Sequence, residues 1–229
     1  IRKPVQQSPY ANRPPCVLHE DEHLMVVNKP PGWNTHAPSP YAGEGIYDWL
    51  KHREPRWASL AIIHRLDKET SGVMVFGKTP LANRSLTEQF TERRIRKTYL
   101  LLTDRPVKHG EFVVKSKLIR VGERYIGGAH GELAETRFRL EPASPKVGRA
   151  VPSPPRRGED TAPHLVVVAE PLTGRTHQIR VHAAESGFPI LGDTLYGGSP
   201  FPRVCLHATE LTLRHPADDR EVTFRSRAD

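Results

Sequence analysis

The sequence predicts an α+β domain with a mostly antiparallel sheet and flanking helices. Three observations carry this reading. Short strand-like runs outnumber helical ones, they succeed one another through tight turns, and the strict strand–helix alternation of a doubly wound parallel sheet is missing.

Residues 1–16 hold Pro4, Pro9, Pro14 and Pro15 and are expected to form an extended arm ahead of one domain over 17–229. Val17 to Pro30 reads as two short strands around the acidic turn Glu20-Asp21-Glu22, and Pro30-Pro31-Gly32 ends the second. Ile46 to His52 is expected as a short helix and Ser71 to Lys78 as a strand. Pro80 to about Arg94 has Leu81, Leu86 and Phe90 near one helical face, and Pro80 suits a first turn. Lys97 to Thr103 is a strand, apolar from Tyr99 to Leu102. Glu111 to Leu140 reads as antiparallel strands separated by Gly127-Gly128 and Gly131. The stretch 142–163 has almost no apolar periodicity and is expected to be a mobile Pro-rich loop, because the strand pattern resumes after it at His164 to Glu170. Thr176 to Ser186 is a helix, with Thr176 as N-cap and Gly187 as the stop. Leu206 to Arg214 and Glu221 to Arg225 close the sheet.

The chain has 229 residues, 37% of them hydrophobic, which is enough for one sizeable core. It opens on Ile1, as a piece of a longer protein would, and without an apolar signal segment. No apolar run is long enough to span a membrane as a helix. Cys16 and Cys205 form no disulfide framework or metal spacing, which fits a reducing cytoplasm as the expected compartment. No glycine-rich nucleotide loop or zinc spacing is present, so neither metal nor cofactor is expected. His177 and His182 read as structural or RNA-facing. The formal net charge of +8 points to a polyanionic partner, because neutralising phosphates supplies sequence-independent affinity. Arg84, Arg93, Arg94, Arg96 and Lys97 cluster in or just after one expected helix, with Glu88 and Glu92 among them. Arg93 and Arg94 are taken as substrate-binding. Tyr41, Trp49 and Trp57 are expected to pack rather than to stack on a ligand.

The chemistry concentrates in Ile63-His64-Arg65-Leu66-Asp67-Lys68-Glu69-Thr70-Ser71-Gly72. It sets one carboxylate, Asp67, in a turn feeding an apolar strand, a rigid base for a catalytic group. Arg96-Lys97-Thr98-Tyr99-Leu100 follows downstream, then Gly174-Arg175-Thr176-His177-Gln178-Ile179-Arg180-Val181-His182. Pro189-Ile190-Leu191-Gly192-Asp193-Thr194-Leu195-Tyr196-Gly197 and Leu206-His207-Ala208 come last, and Val26-Val27-Asn28-Lys29-Pro30-Pro31-Gly32 precedes them all. In this order, over roughly Val17 to Phe224, these segments resemble the pseudouridine synthases of the RluA type.

That resemblance implies the fold of those enzymes, a cofactor-free isomerase, and ribosomal RNA first or transfer RNA second as substrate. The expected protein is a monomer with no obligate protein partner. It implies that Asp67 is the catalytic aspartate, that Tyr99 stacks on the target base, and that Arg180 pairs with the catalytic carboxylate. Arg65 is then associated with the displaced nucleotide and Leu206 lies beneath the base. Arg175 and His177 of the third motif are assigned to substrate binding. Asp193 is kept as a turn residue.

The reaction fits these residue types. The N1–C1′ bond of uridine breaks, the uracil turns over, and C5 bonds to C1′. A carboxylate must act on ribose or base, and the detached uracil must be held. An Arg beside the carboxylate favours its ionised form, and Tyr99 offers a flat face plus a hydroxyl that can relay the C5 proton. Asp67 and Arg180 are expected to form a charge-assisted pair at about 2.7–2.9 Å, with Tyr99 lining the same cleft. Two other classes are open to the sequence. A non-catalytic RNA-binding module would be free to lose Asp67, Tyr99 and Arg180. A carboxylate-based glycosidase would need a second catalytic carboxylate, and no motif supplies one.

Overall fold

A computed structural model describes residues 16–37, 45–108, 110–141 and 164–228. Most of the expected arm, the 142–163 loop and Tyr41 lie outside those residues. Cys16, grouped with the arm by sequence, instead opens the first strand.

The described residues form the expected α+β architecture. Its strands are β1 (Cys16–Glu20), β2 (Leu24–Lys29), β3 (Ala61–Ile62), β4 (Ser71–Gly77), β5 (Arg96–Thr103), β6 (Glu111–Val121), β7 (Arg124–Gly127), β8 (Glu132–Leu140), β9 (Leu165–Pro171), β10 (Leu206–Arg214) and β11 (Glu221–Arg225). The helices are α1 (Ile46–Arg53), α2 (Pro80–Thr91) and α3 (Gln178–Glu185). One sheet runs β1-β2-β4-β10-β5-β9-β8-β6-β7, with β11 added to β10 and β3 to β4. Of its pairs, β4 with β10 is parallel and the rest are antiparallel.

Alternation along β2 and β4 explains why both read as continuous apolar runs. Met25, Val27, Met74 and Phe76 enter the main core with Ile46 and Leu50 of α1. Leu24, Val26, Val73 and Val75 point the other way, into a second cluster with Ala82 and Leu86 of α2. Successive side chains leave a strand on opposite faces, so a sheet covered on both sides is apolar at every position. The junction of β4 and β10 depends on Gly72. It has φ 117°, and a Cβ there would collide with the backbone of Ala208, its partner in the parallel pair.

Two boundaries differ from the sequence reading. Helix α2 stops at Thr91 rather than near Arg94, because Arg93 takes φ 58° and turns the chain. The Arg93 amide donates to the Phe90 carbonyl and the Arg94 amide to that of Gln89, the bond pattern of a Schellman stop. An Arg holds the left-handed position that usually signals Gly, so residue types alone do not mark this stop. Helix α3 begins with His177, at φ 55°, as its cap rather than Thr176, and ends at Gly187 as expected. Trp57 is buried and Trp49 packs on the core against Trp33, in line with their reading as packing residues.

Candidate active site

Asp67 sits in the loop between β3 and β4, and the surrounding backbone is tied down by four groups. The Thr70 amide donates to the Asp67 carbonyl at 3.1 Å. Thr35 Oγ1 donates to the Leu66 carbonyl at 3.1 Å, and the Gly32 amide donates to the Lys68 carbonyl at 2.8 Å. Lys29 makes the fourth tie. Its ammonium is fully buried and donates to the carbonyls of Pro30, Trp33 and Lys68 at 3.0, 2.8 and 3.2 Å. Burial draws its pKa down to about 7, against the charges of Glu69 and Asp67. Lys29→Met should take this donor from the Pro30 and Trp33 carbonyls, leave the Lys68 carbonyl with the Gly32 amide, and loosen the loop, at about 1–3 kcal/mol for each orphaned buried group that water does not reach. Melting temperature and turnover are expected to fall together.

Tyr99 projects from the central strand β5 and is nearly buried. Its neighbours across the sheet are Ala208 on β10 and Ala169 on β9, both too small to crowd the ring. Burial, and then the nearby charge of Asp67, push the phenol well above its ordinary pKa, so it stays protonated as a donor.

Arg180 lies on α3 with 3% of its side chain exposed. The expected direct pair with Asp67 is not among the ion pairs of the described residues. Asp193 takes that place. Arg180 Nε donates to Asp193 Oδ2 at 2.7 Å and Nη2 to Oδ1 at 2.8 Å, a two-pronged pair. The remaining nitrogen, Nη1, makes no hydrogen bond among the described residues and lies 3.6 Å from Glu69. The sequence marks Asp193 as a turn residue. It occupies that turn but is 1% exposed and anchors the guanidinium. Burial works against the charge of Arg180, but the Asp193 bonds and charge raise its pKa above the ordinary value.

These side chains meet around one cavity of about 430 Å³, lined by Asp67, Tyr99, Arg180, Arg65, Leu206 and Arg175 among others. Asp67 is half-buried there. Burial raises its pKa, opposed by the charges of His177, Arg180 and Lys29 and reinforced by Glu69. His177 is not among the residues that line the cavity, and burial lowers its pKa. Its Nδ1 is 2.8 Å from the Tyr196 hydroxyl, whose oxygen also accepts the Tyr125 amide at 2.8 Å. Gln178 fixes the approach to α3. Its Oε1 accepts from Thr173 Oγ1 and the Arg175 amide, and its Nε2 donates to the Glu135 carbonyl and Thr136 Oγ1. His182 is structural, buried between Thr136 and Ser116.

The two arginines at the α2 turn, expected from sequence to bind substrate, separate. Arg93 lines a second cavity beside the first. Arg94 lines neither described cavity and is neutralised locally by Glu88 and Glu92, each at 2.7 Å. Sequence reasoning gave no role to Lys29 or Glu69, and none beyond the turn to Asp193. The Lys29-Pro30-Pro31 run was the available signal for the first. Among the described residues no cluster of His, Cys, Asp or Glu is placed to hold a metal, and no helix is long and apolar enough to cross a membrane.

The profile of the family described as RNA pseudouridylate synthase matches residues 23–185. "Ribosomal large subunit pseudouridine synthase C" of Yersinia pestis is 35% identical over 215 residues, covering 88% of this chain and 62% of that protein. The protein of the same name in Escherichia coli K12 is 34% identical over 216 residues, covering 87% of this chain and 62% of its own length. "Ribosomal large subunit pseudouridine synthase D" of Xylella fastidiosa is 35% identical over 219 residues, with the same two shares. The chain thus spans 62% of the length of these curated relatives. In fold it is similar to human RNA Pseudouridylate Synthase Domain Containing 1, at TM-score 0.71 and 23% identity, covering 98% of this chain and 86% of that one.

Proposed function

The chain belongs to the RNA pseudouridylate synthase family, and from that premise we propose that it isomerises a uridine of structured RNA to pseudouridine, ribosomal RNA being the first choice of substrate and transfer RNA the second. The observation that carries this reading is the grouping of Asp67, Tyr99 and Arg180 around one cavity. The proposed enzyme works as a monomer in the cytoplasm, without metal or cofactor.

The target base leaves its stack to enter the cavity, at a cost of a few kcal/mol, about the least for an unpaired base. It lies between the Tyr99 ring and Leu206. Arg65, exposed at the mouth, fills the place the nucleotide has left. Asp67, ionised with help from Arg180, acts at the ribose or the base to release uracil from C1′. The cavity holds the uracil while it turns to present C5. The Tyr99 phenol, kept protonated, donates a hydrogen bond to the base and is placed to exchange the C5 proton. Arg180 does not need to touch Asp67 for this. Fixed by Asp193, it supplies a stationary positive charge in a water-poor site, where such charges act strongly.

Release of tritium from RNA carrying 5-labelled uridine tests the reaction directly. The wild-type protein should release label with formation of pseudouridine, and binding of RNA without release would favour the non-catalytic module. Activity on pre-folded RNA is expected to persist in EDTA. A requirement for zinc or magnesium by the protein itself would contradict the cofactor-free scheme.

Arg93 and Arg94 should differ. Arg93→Ala is expected to weaken RNA binding and to lower the log–log salt slope by about 0.7–0.9, the contribution of one phosphate contact. Arg94→Ala should change little, since its charge is already matched by Glu88 and Glu92.

A further inference from the structure

The wall between the two cavities contains a lysine with no assigned role. Lys97 lines both the Asp67 cavity and the neighbouring one of about 760 Å³. Its side chain is half-buried, no hydrogen bond or ion pair holds it among the described residues, and burial lowers its pKa. His64 next to it is held neutral by burial and then by the Lys97 charge, with Nε2 accepting the Val75 amide and its ring stacked on Phe90. On the opposite side is Gly174. A Cβ on that residue would lie 3.6 Å from Lys97 Nζ, so the missing side chain keeps the ammonium uncovered.

The other charges of the second cavity are matched. Arg137 pairs with Glu111 and Glu170, Arg225 with Glu210, Arg96 with Glu221, and Arg175 with Glu132. Lys97, with Arg93 farther out, is what remains for an anion from outside. A half-buried ammonium without a partner costs a fold some stability unless something offsets it. An ammonium that opens onto two cavities at once offers a point of attachment for an anion lying across their junction.

We propose that Lys97 is the seat of a backbone phosphate of the bound RNA, next to the target nucleotide, and that the strand runs from the Asp67 cavity over this seat into the second cavity. The inference rests on RNA as the ligand but not on the isomerisation. With the base in the first cavity and the phosphate on Lys97, the seat fixes how far the nucleotide enters. It therefore positions the substrate without touching the reacting atoms.

The test is equilibrium binding of a short RNA stem-loop to the wild type and to Lys97→Met across a salt series. The same stem-loop is then used with single methylphosphonates at each phosphate flanking the loop uridine. Lys97→Met should bind about tenfold more weakly, the factor for one charged hydrogen bond of about 1.5 kcal/mol, with the salt slope lowered by about 0.7–0.9. One methylphosphonate should weaken the wild type by a similar factor and leave Lys97→Met unchanged, and Lys97→Arg should keep most of the affinity. The variant removes an unmatched charge, so its melting temperature should hold or rise. The inference is overturned if Lys97→Met binds like wild type, or if every methylphosphonate affects both proteins equally. Tritium release in parallel separates the two readings: binding that follows the cycle without release sinks the isomerase and keeps the seat, and release without the cycle does the reverse.

Discussion

Asp67→Asn is expected to lower isomerisation by about a thousandfold or more, equivalent to about 4 kcal/mol of barrier. The substitution keeps the shape and removes the group that acts on the nucleotide. It should not harm the fold. Burial raises the Asp67 pKa despite the neighbouring cations. A carboxyl whose folded pKa lies above its unfolded one contributes stability only while protonated, and that contribution is lost as pH rises through the folded value. At neutral pH the ionised Asp67 is therefore a cost, and Asn should melt at the same temperature or higher. Turnover of the wild type should in turn rise with pH along an acid limb set above the ordinary carboxylate range. Thermal melts beside tritium release at neutral pH check both halves. Near-normal turnover by the Asn variant would remove Asp67 from the mechanism, and a large fall in melting temperature would make its role structural.

Arg180→Leu is expected to damage both stability and activity. Its partner Asp193 has 1% of its side chain exposed. Breaking a buried pair from one side leaves an uncompensated charge and costs about 3–5 kcal/mol. The change also removes a cation that helps to ionise Asp67, so the acid limb of any residual activity should move to higher pH. Arg180→Leu combined with Asp193→Leu removes both charges and should recover much of the melting temperature. It should not recover turnover, because the stationary charge beside Asp67 is still missing. Recovery of both in the double variant would show that Arg180 serves only to pair Asp193.

Much of this site could be read from sequence because each of its residues falls within a compact motif. Asp67 and the Thr-Ser-Gly turn into β4 fall within one run, and the approach to Arg180 within another. The sheet was legible for a related reason, since β2 and β4 alternate between two covered faces and read as apolar throughout. What escaped depends on contacts between distant segments. Lys29 matters because carbonyls from residues 30, 33 and 68 converge on it. Asp193 looked like a turn residue, and only the packing of its turn against α3 brings Arg180 to it. The early end of α2 was hidden because Arg93 adopts a backbone conformation that few side chains tolerate.

The central claim is that a uridine in RNA becomes pseudouridine in the presence of this protein. Mapping pseudouridines in the RNA of cells with and without its gene tests it most directly. The account predicts that at least one pseudouridine, in ribosomal RNA first and transfer RNA second, disappears with the gene, returns with the wild type and does not return with Asp67→Asn. An unchanged pseudouridine map, or full restoration by Asp67→Asn, would contradict it.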